Sequence, residues 1–521
     1  MARWFVDRQA QQGIPSVSLR RLLTGASFEG CPDWEVSGCS DDHRRLDPGQ
    51  VFVAVRGEGY DGHAFIREAL ERGAAGVVVE RPNELAGRLQ VVVTDSRAAH
   101  ARICHALAGD PAKSLKTVGV TGTFGKTVTG LLMRSILEAS GERCGLVGSL
   151  GWSDGVATRP IGAGFGPGKV AGSRSGSGPL SGPGAAGLAA MLGEMVDRGC
   201  DSGVVEFSGP ALEYRRAEGI ELQAAIATDV SVPFGFPAET LIKNRRAKAK
   251  LFRRIVPGGV AVVNADDPHA ELLGSVNLDA HRVTFGIDRP ADVTARIDRL
   301  DASGSAFRIR GFHRELEITS KLIGRRQVTS ALAAAAAAWA LEIDASAVAA
   351  ALEGCETIAG RLQAIDEGQP FDVRIDDAQT PGELFEALAA LRGISGGRVH
   401  CVLGGEGGRE GEERRQLATA AERGADRLII TLGNPRSEDP NRIVDDLLGG
   451  LHRPGKALVQ MDRALAIEAA LADAQPGDVV LIAGKGRHTL QILADRIVHF
   501  DDAAIARNWL RSRLERRRNS A

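Results

Sequence analysis

Apolar residues along the chain gather in short runs that alternate with helix-like segments, and this alternation falls into three blocks. In the first block, a segment with helical spacing at 64–72 lies among apolar runs typical of strands. These runs are at 51–55, 75–79 and 89–93. Such strand and helix alternation is typical of a small α/β domain. We therefore predict an N-terminal domain over residues 1–112.

The second block opens with a strand-like run at 117–120, passes a glycine-rich turn and enters an amphipathic segment from about 127 to 139. This β-turn-α order is what a nucleotide-binding loop requires. Residues 155–187 are rich in Gly, Ser and Pro without a hydrophobic period, which predicts a flexible loop. Three strand-like runs and an alanine-rich helix follow, at 203–205, 224–227, 260–264 and 329–341. We predict a central domain over 113–358.

The third block repeats the alternation more regularly. Its strand-like runs lie at 373–376, 399–403, 427–431 and 479–483, and its helical segments at 381–392 and 414–423. This regularity predicts a doubly wound, Rossmann-like sheet over 359–505. We interpret the charge run at 506–521 as a solvated basic tail. The predicted fold class is α/β with three domains, the central one a P-loop-type sheet domain.

Length and charge narrow the class of protein. At 521 residues and 54.9 kDa the chain is long enough for about three domains. With 64 Lys and Arg against 66 Asp and Glu, the net charge of −2 provides no broad basic surface for nucleic acid or an anionic membrane. No apolar stretch approaches the roughly 18 residues of a membrane span, and no apolar leader follows the first residues. We expect a cytoplasmic protein with no nucleic-acid or membrane partner.

The seven cysteines are scattered, odd in number and free of CxxC spacing. This pattern argues against both a disulfide framework and a zinc site. We interpret most of them as small buried residues in a reducing compartment.

The segment from Gly122 to Thr127 reads GTFGKT between a predicted strand and a predicted helix. Gly122 and Gly125 let the backbone curl so that N–H groups at the helix start face a phosphate, and Lys126 adds a positive charge. The Thr127 hydroxyl can then bind Mg²⁺. The alternative is an ordinary glycine-containing turn with a surface lysine. We favour an ATP or GTP site.

Glu206 follows the predicted strand at 203–205, where an open α/β sheet would place a metal carboxylate. A glutamate that only caps a turn fits the same position. Both interpretations of Glu206 stay open from the residues alone.

Several segments resemble, in order, the motifs of the Mur ligases, and among these the UDP-N-acetylmuramoyl-tripeptide synthetases. GTFGKT followed by Val128-Thr129 is similar to their GTxGKTT phosphate loop. The other similar segments are 42–44, 48–49, 52–54 and 61–66 in the first block, 247–252, 264–267 and 284–287 in the second, and 360–361, 375–381, 434–440 and 484–486 in the third. The resemblance covers about residues 38 to 502, in all three predicted domains.

The resemblance implies an activity. In Mur ligases, ATP phosphorylates a carboxylate of a UDP-N-acetylmuramoyl peptide, and the amine of an amino acid attacks the acyl phosphate. The products are an amide, ADP and phosphate, and the reaction belongs to peptidoglycan synthesis. The N-terminal domain is then expected to bind the UDP-muramoyl substrate, the central domain ATP and Mg²⁺, and the C-terminal domain the amino acid. Family analogy suggests a monomer.

The resemblance also implies roles for single residues. The implied ATP-binding residues are Gly122, Thr123, Gly125, Lys126, Thr127, Val128, Arg361 and Asp376, of which Thr127 also binds metal. Glu206 aligns with a metal-binding glutamate. Lys248 aligns with a lysine on which CO₂ forms a carbamate that holds a second Mg²⁺, so Lys126, Glu206 and Lys248 form the implied catalytic set. Without the resemblance, Lys248 reads as one of the surface cations of a basic helix.

Two further groups are implied to bind the substrates. The first is the UDP-muramoyl group Asp42, Arg44, Asp61, His63 and Ser208, and the second is the amino-acid group Arg409, Asn434, Arg436, Gly484 and His488. A planar guanidinium suits a carboxylate, so Arg409 and Arg436 are expected to grip an amino acid of the diaminopimelate type or another.

The chain departs from the family pattern at several positions. Gly433 replaces the aspartate of a DNPR motif, Gln379 replaces a histidine, and Gln327 replaces an asparagine at the adenine site. A TTPE motif appears as 181–184, and a DHLDYHG-like run appears as 230–237 without His or Asp. A working ligase and a catalytically degenerate relative that binds nucleotide or UDP-sugar both stay open, whereas an unrelated P-loop NTPase leaves the outer domains unexplained.

Overall fold

The structure is a computed structural model in which residues 16–29, 33–57, 60–86, 89–159, 183–230, 238–270, 273, 276 and 279–520 are described. The chain divides into two compact units. The first unit comprises residues 1–231, 242–292 and 333–348, and the second comprises 232–241, 293–332 and 349–521.

The N-terminal part of the first unit is built on a small sheet. Its strands are β1 Val17–Ser18, β2 Ser27–Glu29, β3 Glu35–Val36, β4 Cys39–Ser40, β5 Val51–Val53, β6 Gly76–Val79 and β7 Gln90–Val92, and its helices are α1 Leu19–Leu22, α2 Ile66–Glu71 and α3 Ser96–Leu107. Five strands form one sheet in the order β2-β7-β6-β5-β4, with β4 to β7 parallel and β2 antiparallel. Val51, Val78 and Ile103 are fully buried in one cluster, so α3 covers this sheet.

The central sheet of the first unit is mostly parallel. Its strands are β8 Lys116–Thr121, β9 Cys144–Gly148, β10 Gly151–Ser153, β11 Thr158–Arg159, β12 Ser202–Phe207, β13 Leu222–Ala227, β14 Ile255–Asn264 and β15 His281–Gly286. Their order is β11-β10-β9-β12-β8-β13-β14-β15, and only β10 and β11 run antiparallel to their neighbours. The loops that follow β8, β12 and β13 therefore meet at one edge, where open α/β sheets bind ligands.

Helices cover both faces of the central sheet, as parallel strands that are buried on both sides require. The helices that follow in the chain are α4 Lys126–Ala139, α5 Ala185–Asp197, α6 Gly209–Glu213, α7 Ala238–Phe252, α8 Arg325–Ala340 and α9 Ala345–Gly354. In α4, Leu132, Met133 and Ile136 are buried. Short 3₁₀ turns lie at His43–Arg45, Gly62–Phe65, Glu84–Ala86, Pro111–Lys113 and Pro454–Lys456.

The second unit contains an antiparallel sheet and a doubly wound sheet. The antiparallel strands are β16 Val293–Asp301, β17 Gly304–Gly311 and β18 Arg314–Ser320. The other strands are β19 Gln363–Ala364, β20 Asp372–Asp376, β21 Val399–Gly405, β22 Arg427–Leu432, β23 Leu458–Val459 and β24 Val479–Ala483, in the order β19-β20-β24-β21-β22-β23, with only β19 antiparallel to its neighbour. A hairpin of β25 Leu490–Ile492 and β26 Ile497–His499 follows.

Five helices accompany the doubly wound sheet. They are α10 Pro381–Ile394, α11 Gly411–Gly424, α12 Pro440–Leu448, α13 Arg463–Asp473 and α14 Asp502–Ser520. Helix α10 begins with a capping box, in which Thr380 and Glu383 satisfy each other's backbone N–H groups. Helix α14 runs through the boundary that the sequence suggests at 506, because Ala506 and Leu510 are buried in the core.

The α/β class is confirmed, and the repeated strand and helix segments lie within a few residues of their predicted positions. The antiparallel strands β16 to β18 and the first four short strands, β1 to β4, were not predicted. The loop expected at 155–187 falls largely on residues 160–182, which lie outside the described residues; beside them, Thr158–Arg159 form β11 and Ala185 begins α5. None of the helices in the described part of the chain combines the length and apolar character that a bilayer crossing requires.

Candidate active site

The phosphate loop joins β8 to α4 in a shape that only glycine permits. Gly125 precedes the first residue of α4 with a φ of 76°. A Cβ added to Gly122 would lie 1.8 Å from Thr228 Oγ1, so the loop and the end of β13 approach too closely for a side chain. The first N–H groups of α4 have no partner within the helix, and such groups bind anions.

A carboxylate from the segment that follows β13 holds the phosphate loop in place. Asp229 Oδ1 accepts hydrogen bonds from the N–H groups of Thr123 and Phe124. Thr228 Oγ1 donates to Phe124 O, which fixes the loop at a second point. We did not predict Asp229 from the sequence. Its signal was its position two residues after β13, at the edge where β8 also ends.

The ammonium group of Lys126 lies against its own loop. Its Nζ donates to Gly122 O and to Thr123 O, each at 3.0 Å. Both acceptors are neutral carbonyl oxygens, which a phosphate oxygen can replace. The predicted phosphate-binding lysine is therefore at the loop, where it can contact an anion at the start of α4.

Three oxygen-bearing side chains converge beside the loop. Thr127 Oγ1 donates to Glu206 Oε2 at 3.0 Å and lies 2.7 Å from Ser149 Oγ. A Cβ added to Gly148 would lie 2.1 Å from Glu206 Oε1, so this glycine leaves room for the carboxylate. A set of hard oxygen ligands fits Mg²⁺. Ser149 was not predicted, because nothing local marks a serine that only the order of β9, β12 and β8 brings to this point.

Lys248 is not a surface cation. Its residue is only 2% exposed, and its Nζ donates to Thr123 Oγ1. Burial lowers the pKa of Lys248 to about 8, an effect that the charge of Asp229 opposes and that of Lys126 increases. A neutral amine, the form that reacts with CO₂, is therefore accessible near neutral pH.

The second unit holds the predicted pair Arg361 and Asp376. Asp376 ends β20, and its Oδ2 accepts a hydrogen bond from Leu362 N at 2.8 Å. Burial raises the pKa of Asp376 to about 7, although the charge of Arg361 opposes the shift. Arg361 Nη2 lies 3.6 Å from Asp377 Oδ2.

Gln379, which stands in place of the family histidine, orients Arg409. Arg409 donates from Nη1 to Gln379 O at 3.1 Å and from Nη2 to Gln379 Oε1 at 3.0 Å. Gln379 Nε2 in turn donates to Asp377 Oδ1 at 3.0 Å. The amide therefore links a predicted amino-acid ligand to the partly buried carboxylate of Asp377.

Glu406 fills the space beside Gly433. A Cβ added to Gly433 would lie 2.3 Å from Glu406 Oε1. The same oxygen accepts hydrogen bonds from Asn434 N at 3.0 Å and from Asn434 Nδ2 at 3.1 Å. Burial raises the pKa of Glu406, while the bonds from Asn434 oppose the shift. A carboxylate therefore lies beside Gly433, and it belongs to Glu406, a residue that sequence reasoning missed.

The remaining predicted amino-acid ligands lie in nearby loops of the same unit. Arg436 is exposed, adopts a φ of 56° and donates its N–H to Ile492 O. Gly484 donates its N–H to Asp376 O at 3.0 Å. His488 lies close enough to Asp377 for its charge to act on that carboxylate.

The predicted UDP-muramoyl ligands form two local pairs. Asp42 accepts three hydrogen bonds from Arg44, at 2.9 to 3.0 Å. His63 Nε2 accepts from Glu80 N, so Nδ1 carries the proton and donates to Asp61 Oδ1 at 2.6 Å.

Ser208 caps α6 through a bond from Ala211 N. The TTPE-like residues Ser181 and Gly182 and the run 231–237 lie outside the described residues.

Three Mur ligase domains match the chain. Residues 35–109 match the "Mur ligase family, catalytic domain", residues 120–338 the "Mur ligase middle domain", and residues 360–486 the "Mur ligase, glutamate ligase domain". The three-domain architecture expected from the sequence is therefore that of this family.

Relatives match over almost the whole length. The chain is 36% identical to the UDP-N-acetylmuramoyl-L-alanyl-D-glutamate--2,6-diaminopimelate ligase of Geobacillus kaustophilus, over 91% of this chain and 94% of that protein. It is 35% identical to the UDP-N-acetylmuramyl-tripeptide synthetase of a Roseiflexus species, over the same shares of the two chains.

Solved structures agree. A UDP-N-acetylmuramoyl-L-alanyl-D-glutamate--2,6-diaminopimelate ligase superposes with a TM-score of 0.67 and 26% identity, over 96% of this chain and 99% of that one. A folylpolyglutamate synthase of Mycobacterium tuberculosis, complexed with ADP and AMPPCP, shares the fold at a TM-score of 0.61 and 21% identity, over 74% and 92% of the two chains. The chain therefore belongs to the Mur ligase family, whose members are ATP-dependent ligases that form carbon–nitrogen bonds.

Proposed function

We propose that this chain joins a diaminopimelate-type amino acid to a UDP-N-acetylmuramoyl-dipeptide at the expense of ATP. The observation that carries the proposal is the convergence of Lys126, Glu206 and Lys248 at one phosphate loop. The printed names of the relatives at 35 and 36% identity supply the substrate class. We propose domains over 1–112, 113–358 and 359–505, and a monomer that acts in the cytoplasm.

The phosphates of ATP would lie at the start of α4. The backbone N–H groups of this turn and the Lys126 ammonium provide positive charge where the γ-phosphoryl group is transferred. Thr127, Ser149 and Glu206 would hold Mg²⁺. When bound, this ion neutralises phosphate charge and orients the terminal phosphate. Arg361 and Asp376 would contact the nucleoside, the aspartate as an acceptor for a ribose hydroxyl.

The reaction then needs positioning more than acid or base chemistry. A substrate carboxylate oxygen attacks the γ-phosphorus, which gives an acyl phosphate and ADP. The neutral amine of the amino acid attacks the acyl carbon, the C–O bond to phosphate breaks, and the amine loses a proton to form the amide. Holding the partners in place can supply a large share of the rate.

We propose that Lys248 reacts with CO₂ to give a carbamate. Its burial and its pKa of about 8 favour the neutral amine, and the product is an anion. A carbamate there would place a negative charge close to Lys126, and it could hold a second Mg²⁺.

The amino-acid ligands support an amino acid that carries charge at both ends. Arg409, oriented by Gln379, would bind a carboxylate. Glu406 provides the negative charge that Gly433 lacks, and we propose that it takes the part of the missing aspartate by fixing Asn434. Arg436, Gly484 and His488 would complete this pocket.

In the N-terminal part we propose that the uridine nucleotide contacts one group of residues. This group is Asp42, Arg44, Asp61 and His63, and Ser208 at the start of α6 in the central part would contact the same UDP-muramoyl substrate. Arg44 is well exposed, and Asp61 Oδ2 remains at the surface beside Arg81, so both pairs have polar atoms that a ligand can reach.

Phosphate release tests this function. Purified protein is supplied with ATP, Mg²⁺, bicarbonate and UDP-N-acetylmuramoyl-L-alanyl-D-glutamate, with meso-diaminopimelate, L-lysine or no amino acid. We expect phosphate release only when acceptor and amino acid are both present, and faster with diaminopimelate than with lysine. The amide product is identified by mass spectrometry.

Lys126→Ala is the control, because it removes the phosphate-binding charge without touching the acceptor sites. ATP binding without any turnover across the panel would contradict the ligase and favour the degenerate relative. Turnover with another amino acid would keep the ligase and replace diaminopimelate.

A further inference from the structure

A second cluster of reactive side chains lies in the N-terminal part, away from the phosphate loop. Cys39 Sγ lies 3.7 Å from Cys104 Sγ, and Cys104 Sγ lies 3.4 Å from His100 Nε2. In the described part of the chain, this is the one group of three His, Cys, Asp or Glu residues whose candidate ligand atoms all lie within 4.8 Å of one another. The ligase reaction uses none of the three.

The fold explains why these residues meet. His100 and Cys104 are four residues apart on α3, so both side chains point from one face of the helix. Cys39 begins β4, the edge strand of the small sheet that α3 covers. The ligand atoms therefore come from two rigid elements. Local spacing in the sequence gave no sign of this, because 61 residues separate Cys39 from His100.

The Cys39–Cys104 and Cys104–His100 distances fit a tetrahedral metal ion, and the ligand atoms of Cys39 and His100 lie within 4.8 Å of each other. Zinc lies about 2.3 Å from a cysteine sulfur and about 2.05 Å from a histidine nitrogen. Tetrahedral angles then place two sulfurs about 3.8 Å apart and a sulfur about 3.5 Å from a nitrogen. The observed 3.7 Å and 3.4 Å agree with both values.

The surroundings also suit a metal. His100 and Cys104 are 7% and 2% exposed, and the cluster packs against Ala186 and Ala189 of α5. Asp41 Oδ2 faces His100 Nδ1 at 3.8 Å. This distance is too long for a hydrogen bond, but it places a negative charge on the far side of the ring, where a metal-binding imidazole commonly has a carboxylate.

A simple thiol pair fits less well. The sulfurs are almost twice as far apart as the roughly 2.05 Å of a disulfide bond, and a disulfide has no use for an imidazole at 3.4 Å from one sulfur. Two thiols and an imidazole form a soft ligand set that selects zinc-like ions over Mg²⁺.

We propose that Cys39, His100 and Cys104 form a binding site for one zinc-class divalent ion, which ties β4 to α3 beside α5. Three protein ligands leave one tetrahedral position for water or a further ligand. This site is independent of the proposed ligase function, and it differs from the oxygen-lined Mg²⁺ site by its thiolates.

Cobalt binding tests the proposal. The full-length protein is reduced, stripped with chelator and titrated with Co²⁺, which gives a thiolate-to-cobalt charge-transfer band only when sulfur binds the metal. We expect one equivalent of Co²⁺ with this band and with the visible spectrum of a tetrahedral ion, and displacement by Zn²⁺. Absence of the charge-transfer band at saturating Co²⁺ would overturn the site, even if Co²⁺ binds the oxygen ligands near Thr127.

Variants assign the ligands. Cys104→Ala and Cys39→Ser should abolish the band, and Asp41→Asn should weaken Co²⁺ binding about 10-fold to 100-fold. Cys401→Ala, a buried thiol of the other unit, is the matched control and should keep the band. A band that survives Cys104→Ala overturns the assignment, as does a Cys39–Cys104 disulfide in protein that binds no Co²⁺ when reduced. Circular dichroism checks that each variant is folded.

Discussion

The phosphate loop and the amino-acid region differ in how they keep their charged groups. At the loop, Lys126, Glu206 and Lys248 stand at the positions that the family resemblance assigns, and each contacts the loop residues Gly122 to Thr127. In the amino-acid region, the expected side chains at 433 and 379 are absent. There, Glu406 places a carboxylate beside Gly433, and the amide of Gln379 itself accepts a hydrogen bond from Arg409.

The difference shows what each region requires. Phosphate transfer needs charges at fixed points around a backbone loop. A Cβ at Gly148 would collide with the Glu206 carboxylate, and a Cβ at Gly122 would collide with the Thr228 hydroxyl that holds the loop. In the amino-acid region, a carboxylate can reach the same space from another strand, as Glu406 does beside Gly433. A missing motif residue is therefore weak evidence for lost function until the surrounding space is examined.

The largest effect should come from Lys248→Ala. If this residue provides an anion for metal binding, turnover falls about 100-fold to 1,000-fold, as for loss of one preorganised electrostatic group. Added short carboxylates should restore part of the rate, since they can occupy the vacated space as anions. Steady-state phosphate release measures both.

Lys250→Ala is the matched control for Lys248, because Lys250 lies two residues further along the same helix and pairs with Glu213 at 2.7 Å. We expect it to leave turnover nearly unchanged. Equal losses in both variants would show that the basic helix acts only through its general charge.

Gly433→Asp tests whether Glu406 occupies the space beside position 433 in the amino-acid region. The new side chain would meet Glu406 Oε1 and add a second buried carboxylate, so we expect about 2–4 kcal/mol less free energy of unfolding. Glu406→Gly in the same chain should recover most of the loss. Urea unfolding of the two single variants and the double variant measures the coupling.

Gly393→Asp is the control for this series, since a Cβ added there meets nothing within 4 Å. If the decreases in free energy of unfolding of Gly433→Asp and Glu406→Gly simply add in the double variant, the two side chains do not compete for the same space.

A smaller effect is expected from Glu206→Gln, which keeps the shape of the side chain and removes its charge. The Mg²⁺ concentration for half-maximal turnover should rise about 10-fold to 100-fold, as for loss of a supporting carboxylate at a metal site. Glu213→Gln, on α6, is the control. An unchanged Mg²⁺ dependence would leave Glu206 as a residue that only orients Thr127.

The smallest effect concerns Asp376. Its raised pKa of about 7 means that the group is a carboxylate above pH 7 and a neutral carboxyl below it. Because a charged acceptor binds a hydroxyl more strongly by about 1 kcal/mol, and the group changes from mostly charged to mostly neutral, ATP affinity should fall about threefold to fourfold from pH 8 to pH 6. Calorimetric titration of ATP at both pH values measures this, and Asp376→Asn should remove the difference.

The regular helices and strands could be predicted from the sequence. Buried parallel strands appear as short apolar runs, and amphipathic helices show a helical period of apolar residues. The short strand Cys39–Ser40 and the antiparallel strands β16 to β18 were missed, since each depends on pairing partners elsewhere in the chain. The phosphate-loop residues were predicted because the motif is local. Asp229 and Ser149 were not, because only the order of the strands brings them to the loop.

Contacts between residues far apart in the chain were also missed in the amino-acid region and at the cysteines. The family resemblance showed that Gly433 departs from the motif, but the position of Glu406 beside it depends on the pairing of β21 with β22. Spacing rules for metal sites look for ligands close together in the chain, and they therefore passed over Cys39 and Cys104.

The bonds from Lys126 to Gly122 O and Thr123 O give the loop a resting state of its own. The long lysine side chain is already ordered in the folded protein. The loss of rotamer entropy, up to about 2 kcal/mol, therefore occurs during folding and not during anion binding. An arriving anion only exchanges partners with two carbonyl groups. Even small anionic fragments should therefore bind a site that is already preorganised. This makes the loop a favourable starting point for fragment-based inhibitor design.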